Sequence, residues 1–69
     1  MELLTTYQNG NRIAKVYSDP IGGFTVEYFM HDRIIKKTHH VMIDLAEELA
    51  DDFIAEAGSN PTLLNENII

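Results

Sequence analysis

The spacing of hydrophobic and polar residues changes once along this chain. Up to His39-His40, β-branched and aromatic residues alternate with polar ones, which is typical of strands that bury one face. Beyond that point apolar residues recur at three- and four-residue intervals, which is typical of an amphipathic helix. The predicted apolar stripe consists of Met42, Leu45, Ala46, Leu49, Ala50, Phe53 and Ala57.

Short breaker sequences divide the first part of the chain into strands. The turn signals are Asn9-Gly10, Asp-Pro-Ile-Gly-Gly at 19–23, and His31-Asp32. Asn-Gly favours a type I′ turn with positive φ at both central residues, and Pro followed by two Gly favours a loop. The predicted strands are residues 2–7, 12–18, 24–30 and a fourth from 33 onward. An α+β fold follows, with a three- to four-stranded antiparallel meander sheet and one amphipathic helix packed on one face.

Cross-strand pairing predicts which residues share a face of this sheet. Ser18 is placed opposite Phe24, and His31-Asp32 is taken as the turn that sets the last strand. One face then carries the rows Lys15-Glu27-Lys36, Tyr17-Thr25-Thr38 and Ile13-Phe29-Ile34. The other face carries Ala14, Val16, Phe24, Val26, Tyr28, Met30 and Ile35. The second face is the more apolar, so we expect the helix to cover it.

The helix and the residues after it set the domain boundary. Asp44 is expected to be the N-cap or an early-turn acid, and Gly58 is a natural terminator. Residues 1–58 are therefore expected to form one domain. Residues 59–69 form a tail that stays loose or begins a short helix, and its apolar residues suggest docking on the domain or on a second subunit.

Composition limits the classes of function. The chain has 69 residues and no cysteine, so it is one small domain without disulfides or thiolate metal sites. A formal net charge of -6 argues against bulk electrostatic binding to nucleic acid or to an anionic membrane. With no long apolar run, no membrane span or signal peptide is expected, and the expected location is cytoplasmic.

The charge is divided along the chain, and one half marks a candidate binding face. All five bases lie within residues 12–37, and six acids with no base lie within 42–57. We expect the partner-binding residues of the sheet face to be Ile13, Lys15, Tyr17, Phe29, Ile34 and Lys36. Their apolar row needs a cover, which is a second copy in a homodimer, a protein partner or the tail. The same lysines and aromatics suggest a nucleic-acid-binding face as an alternative. The simplest interpretation is ordinary ion pairing on a solvated face.

The acids of the helix form a second candidate surface. They recur at three- and four-residue spacings, which places them on a carboxylate ridge. The ridge consists of Asp44, Glu47, Glu48, Asp51, Asp52 and Glu56. It is either a solvated helix face or a surface that binds a basic groove on another protein.

Catalysis, metal binding and cofactors are not expected. His39 and His40 are adjacent, so in a strand they point to opposite faces and do not share an ion readily. Ser18 lies in a predicted turn with no nucleophile elbow beside it, and Gly22-Gly23 is an isolated pair rather than a phosphate cradle.

Residues 23–29 contain the pattern Gly-aromatic-x-Val-x-Tyr, and residues 46–54 begin with Ala-Glu-x-x-Ala-Asp-x-Phe. Together with residues 12–17 and 33–35, these segments resemble small accessory proteins of tailed phages, particularly phages of marine cyanobacteria, which have such a strand followed by such an acidic helix. The element order is also similar to that of HicB antitoxins, although their Pro-Gly-Cys turn is absent. The phage resemblance implies a non-enzymatic protein that modulates a host protein in the host cytoplasm, and the antitoxin resemblance implies a regulator.

Overall fold

The computed structural model of this protein describes the backbone of residues 1–58 and the side chains up to Glu56. It contains one four-stranded antiparallel sheet, with the strands in chain order, and one helix. The elements are β1 (Glu2–Asn9), β2 (Arg12–Ser18), β3 (Phe24–Met30), β4 (Arg33–His40) and α1 (Ile43–Gly58). The predicted α+β class is confirmed. The predictions for the tail at 59–69 and for the Ala57 side chain lie outside the described residues.

The first turn differs from its prediction by one residue. Asn9 stays in the ladder opposite Arg12, so the two-residue loop is Gly10-Asn11. Only Gly10, with φ 62°, has a positive φ in this loop. Glycine at the first central position favours this type II′ pattern over the type I′ turn expected from Asn-Gly. Asn9 is thereby free to donate a hydrogen bond from Nδ2 to the Ile54 carbonyl, at 2.9 Å.

The loop between β2 and β3 is organised by Asp19. Its carboxylate accepts hydrogen bonds from the Ile21 amide at 3.1 Å and from the Thr25 hydroxyl at 3.3 Å. Gly23 brings this loop close to the end of β4, since an added Cβ would lie 2.7 Å from the His40 carbonyl oxygen. A side chain does not fit there, and Gly23 also has φ 79°.

The third turn is confirmed at His31-Asp32. Both residues take positive φ, 54° and 67°, without glycine. Asp and His are among the residues that tolerate this region best. The His31 amide donates to the Asn11 carbonyl at 3.0 Å, so the two hairpin ends are joined.

The register of β2 with β3 is the predicted one, whereas β4 contains a bulge. Phe29 pairs with Ile34 as expected, but Tyr28 pairs with Lys36 rather than with Ile35. Ile35 is therefore an extra residue, and every later residue of β4 moves by one position. As a result Glu27 pairs with Lys37 rather than Lys36. Thr25 pairs with His39 rather than Thr38 for the same reason.

Helix α1 packs on the face predicted to be the core, and it contacts all four strands, most extensively β2. The buried residues are Ala14, Val16, Val26, Tyr28, Ala46, Ala50 and Phe53. Two alanines at the contact allow the helix to approach the sheet closely. Ala46, Ala50 and Phe53 of the predicted apolar stripe are buried and Leu49 is half-buried. The stripe differs from its prediction at one edge, since Leu45 is exposed, Met42 lies before the helix, and Ile43 and Ile54 pack against the core. Asp44 is an early-turn acid, because the first helical hydrogen bond runs from the Ala46 amide to the Met42 carbonyl.

Candidate protein-binding surfaces

The open face of the sheet, opposite α1, carries the predicted apolar row. Ile13 pairs with Phe29 and Phe29 with Ile34, so the three side chains cross β2, β3 and β4 side by side. Ile13 and Phe29 are half-buried, and Ile34 is 50% exposed. The described helix, α1, packs on the other face of the sheet and so does not cover this row. We call Ile13, Phe29 and Ile34 the apolar row.

Polar groups beside the apolar row are paired within the open face. The Glu27 side chain is only 16% exposed, and one carboxylate oxygen lies 3.8 Å from the Lys37 Nζ. Burial raises the pKa of the Tyr17 hydroxyl, and so do hydrogen bonding to Glu27 and its negative charge. The Glu27 carboxylate on the open face is therefore already paired with Lys37 and Tyr17.

Lys15 lies over the aromatic ring of the apolar row. Its Nζ is 5.1 Å from the centroid of the Phe29 ring, which is within the range of a cation–π interaction. The lysine stem thus shields one side of an apolar residue while its charge stays near water. Ile34, farther along the row, is left as its most accessible member.

Lys36 does not belong to the open face, so that assignment was wrong. The bulge at Ile35 moves it to the side of the sheet that carries α1, where its Nζ lies 4.7 Å from the Tyr28 ring centroid. Lys37 takes the place on the open face that Lys36 was expected to have. The other five predicted residues of the sheet face, Ile13, Lys15, Tyr17, Phe29 and Ile34, pair as expected for that face.

A cleft of about 350 Å³ opens between α1 and β4. Two residues separate the end of β4 from the start of the helix. Near its other end the helix accepts hydrogen bonds from Asn9 of β1 and Arg12 of β2. It therefore crosses the sheet away from β4 and leaves a wedge. The cleft is lined by Tyr28, Ile35, Lys36, Leu49 and Phe53, among others. We call this the α1–β4 cleft.

The floor of the α1–β4 cleft is aromatic, and its rim is charged. Tyr28 and Phe53 meet edge to face, with ring centroids 5.1 Å apart. Arg12 lies over the Phe53 ring at 4.8 Å, and its Nη1 donates to the Phe53 carbonyl at 3.3 Å. The same Nη1 is 3.0 Å from Glu56 Oε1. Arg12 thus fixes the end of the helix, and Lys36 forms no ion pair with any residue that the structure describes.

The predicted carboxylate ridge of α1 is largely at the surface. Five of its six acids are exposed, Asp44, Glu48, Asp51, Asp52 and Glu56, whereas Glu47 is half-buried. Glu56 also pairs with Arg12. Burial raises the pKa of the Tyr7 hydroxyl, and the charges of Glu47 and Asp51 raise it further. Glu47 and Asp51 therefore lie close enough to Tyr7 of β1 for their charges to act on it.

Sequence reasoning missed the α1–β4 cleft. Its walls come from residues assigned to the core, such as Leu49, and from Ile35, which the bulge adds to β4. The signal that was available is an apolar stripe on α1 wider than the sheet buries, since Leu45 is exposed and Leu49 is half-buried. The angle between helix and sheet decides where that excess lies.

The described residues contain no cluster of three or more His, Asp or Glu side chains placed to hold a metal ion. Within residues 1–58, the helix is too short and too polar to cross a lipid bilayer.

Comparison with known proteins adds no family assignment. No protein-family model, curated protein or solved structure matches this chain at a significant level. The geometry and charge of the described residues therefore carry the functional inference.

Proposed function

We propose that this protein is a non-enzymatic protein-binding module that forms a homodimer through the open face of its sheet. The observation that supports this best is the apolar row, which lies on the face opposite α1 with Ile34 half exposed. Sheets of this kind bury such a face by packing on a second sheet about 10 Å away. A second copy supplies a matching face.

Charge favours a dimer through the open faces over a dimer through the helices. The outer surface of α1 carries exposed acids, so two copies repel each other there. On the open face, Lys37 and Tyr17 already engage Glu27, which lowers the charge cost of approach. A two-fold dimer through the open faces places both acidic helices on the outside of a four-layer arrangement.

The size of the open face sets the expected strength of this dimer. Strands of seven residues at about 3.3 Å per residue, in four strands about 4.8 Å apart, give a footprint of roughly 440 Å². Two such footprints fall below the area of a standard stable interface and match a weak or transient one. We therefore expect a dissociation constant on the order of 10 μM.

The test compares Ile34→Asp with Ile35→Asp. These neighbours are 50% and 52% exposed, and they lie on opposite sides of β4, so the variants form a matched pair. Sedimentation equilibrium over a range of concentrations measures the dissociation constant. Ile34→Asp should raise it at least about tenfold, because a carboxylate would enter the apolar contact, while Ile35→Asp should change it less than about threefold.

Other masses would contradict the two-fold dimer. A particle of 7.8 kDa at every concentration up to about 1 mM would overturn self-association and leave a heterologous protein as the occupant of the open face. A mass that grows beyond two subunits would indicate contact between the open face of one copy and the acidic helix of the next.

We base the proposed role of the module on its resemblance to phage accessory proteins. The module modulates a host protein in the host cytoplasm, and the dimer presents two copies of its outer surface to that protein. The alternative is a nucleic-acid-binding or antitoxin-like regulator that uses the basic residues of the open face. Lys15 over Phe29 and the carboxylate of Glu27 both oppose base stacking there. Binding of a fluorescent single-stranded RNA at low salt, lost in Lys15→Glu, would favour the alternative.

A further inference from the structure

We infer that the edge of β4 and the α1–β4 cleft together bind an extended, acidic and apolar segment of a partner protein, which adds as a fifth strand. This site lies on the other side of the sheet from the dimer contact and goes beyond it. Strand addition of this kind uses main-chain hydrogen bonds for affinity and alternate side chains for specificity.

The first observation is the position of β4. It is the last strand of the sheet, and six of its eight residues are exposed. In the part of the chain that the structure describes, no strand pairs with its outer edge. Outward amides and carbonyls of an edge strand are a template for another extended chain.

The second observation is the apolar surface that such a strand would meet. Side chains on the α1 side of an added strand would lie beside the cleft, next to Ile35 and Leu49. Leu45 lies one turn before Leu49 on the same flank of the helix and is exposed. Because the helix crosses away from β4, this flank and the cleft have no cover from any described element, and they offer room for leucine-sized side chains.

The third observation is the charge of β4, which identifies the chemistry of the partner. Three of the five bases of this acidic chain, Arg33, Lys36 and Lys37, lie on this one strand. Pairing of β4 with β4 of a second copy would bring these cations close to one another, and their repulsion disfavours self-pairing at this edge. Side chains of a strand alternate between the two faces of a sheet, so a segment that alternates apolar residues with carboxylates places the apolar residues beside the cleft and the carboxylates on the side of Lys37.

Synthetic peptides test the inference on the full chain. The probes are three capped, fluorescein-labelled ten-residue peptides that alternate leucine with glutamate, leucine with lysine, and serine with glutamate. The leucine–glutamate peptide should bind, with NMR shifts in β4 and around the cleft. The serine–glutamate peptide should bind at least about tenfold more weakly, and the leucine–lysine peptide should not bind.

Two matched pairs of variants locate the site. Lys37→Gln should weaken binding of the leucine–glutamate peptide at least about fivefold, and Lys36→Gln less than about twofold, because leucines beside the cleft place the glutamates on the other side of the sheet, where Lys37 lies. Ile35→Ser should weaken it at least about fivefold, and Ile34→Ser less than about twofold. Folding of each variant is checked by its amide spectrum.

Three results would overturn the inference. The first is that the leucine–glutamate peptide does not bind at about 1 mM. The second is that the two variants of a matched pair lose the same peptide affinity. The third is that the NMR shifts caused by the peptide are confined to the open face. The dimer proposal is independent of this outcome, because Ile34 governs the dimer and Ile35 governs the peptide.

Discussion

Each face of the sheet carries a cation over an aromatic ring, and two such pairs differ in their surroundings. On the face under α1, Arg12 lies 4.8 Å from the Phe53 ring, and Phe53 is buried. On the open face, Lys15 lies 5.1 Å from the Phe29 ring, which is only half-buried. The distances are nearly equal, but the surroundings are not.

The difference shows which contacts hold the fold together. Arg12 also donates to the Phe53 carbonyl and pairs with Glu56, so it ties the end of the helix to β2. Lys15 forms no ion pair with any described residue, and its ring contact reaches the adjacent strand β3 rather than the helix. We infer that the covered face supplies most of the stability, whereas the open face can change without unfolding the domain.

The largest expected effect compares Phe53→Ala with Phe29→Ala. Phe53→Ala removes a buried ring that contacts Tyr28, and such changes cost about 3–5 kcal/mol. A domain this small has a total stability of roughly 3–5 kcal/mol, so this variant should be mostly unfolded. Phe29→Ala should cost about 1 kcal/mol, since only part of its area is buried. Urea unfolding followed by circular dichroism measures both, and equal losses would contradict the comparison.

An intermediate effect is expected from Arg12→Met and Lys15→Met. Methionine keeps the apolar stem but removes the charge. Arg12→Met should lower the free energy of unfolding by about 1–2 kcal/mol, through the lost hydrogen bond, ion pair and cation–π contact. Lys15→Met should change it by about 0.5 kcal/mol or less. The same urea titration measures the difference, and a loss in Lys15→Met as large as in Arg12→Met would show that the open face is equally structural.

The smallest effect concerns one tyrosine on each face. The pKa of Tyr7 and the pKa of Tyr17 are both raised above 10.0, so the folded state holds these protons more tightly than the unfolded state. Above pH 10.0 the unfolded chain ionises first, and the free energy of unfolding should fall as pH rises. Below that pH neither tyrosine should contribute a slope.

Variants separate the two tyrosines. Tyr7→Phe and Tyr17→Phe should each remove part of the alkaline slope in urea midpoints. Glu27→Gln should lower the pKa of Tyr17, because it removes the charge beside it, and should leave the pKa of Tyr7 unchanged. Phenolate absorbance and NMR titration measure the pKa values. A Tyr7 pKa that moved with Glu27→Gln would contradict the separation of the faces.

Much of the fold could be predicted from sequence because local signals agree. β2 and β3 were predicted with their observed bounds, and their register follows from placing apolar residues together. The glycine-free turn at His31-Asp32 was also predicted. The exposure of Leu45 was not predicted, because Leu45 is as apolar as Ile43 and Ile54, which pack against the core. Close approach at Ala46 and Ala50 decides which of these residues reach the core.

The surfaces were harder to predict than the elements. The apolar row follows from β2–β3 pairing and one residue of β4, so it was found. The position of Lys36 depends on a bulge without a glycine or proline to mark it. The α1–β4 cleft depends on the angle of the helix, which tertiary packing sets and periodicity does not report.

The extra residue in β4 separates neighbours in sequence into different environments. Because Ile35 has no partner in the ladder, its deletion would leave Phe29 opposite Ile34 and Tyr28 opposite Lys36. The strand would become regular, and only the cleft would lose a wall. We therefore expect loss of a single codon to abolish the proposed strand addition while the proposed dimer contact at Ile34 persists, so evolution can gain or lose the two separately.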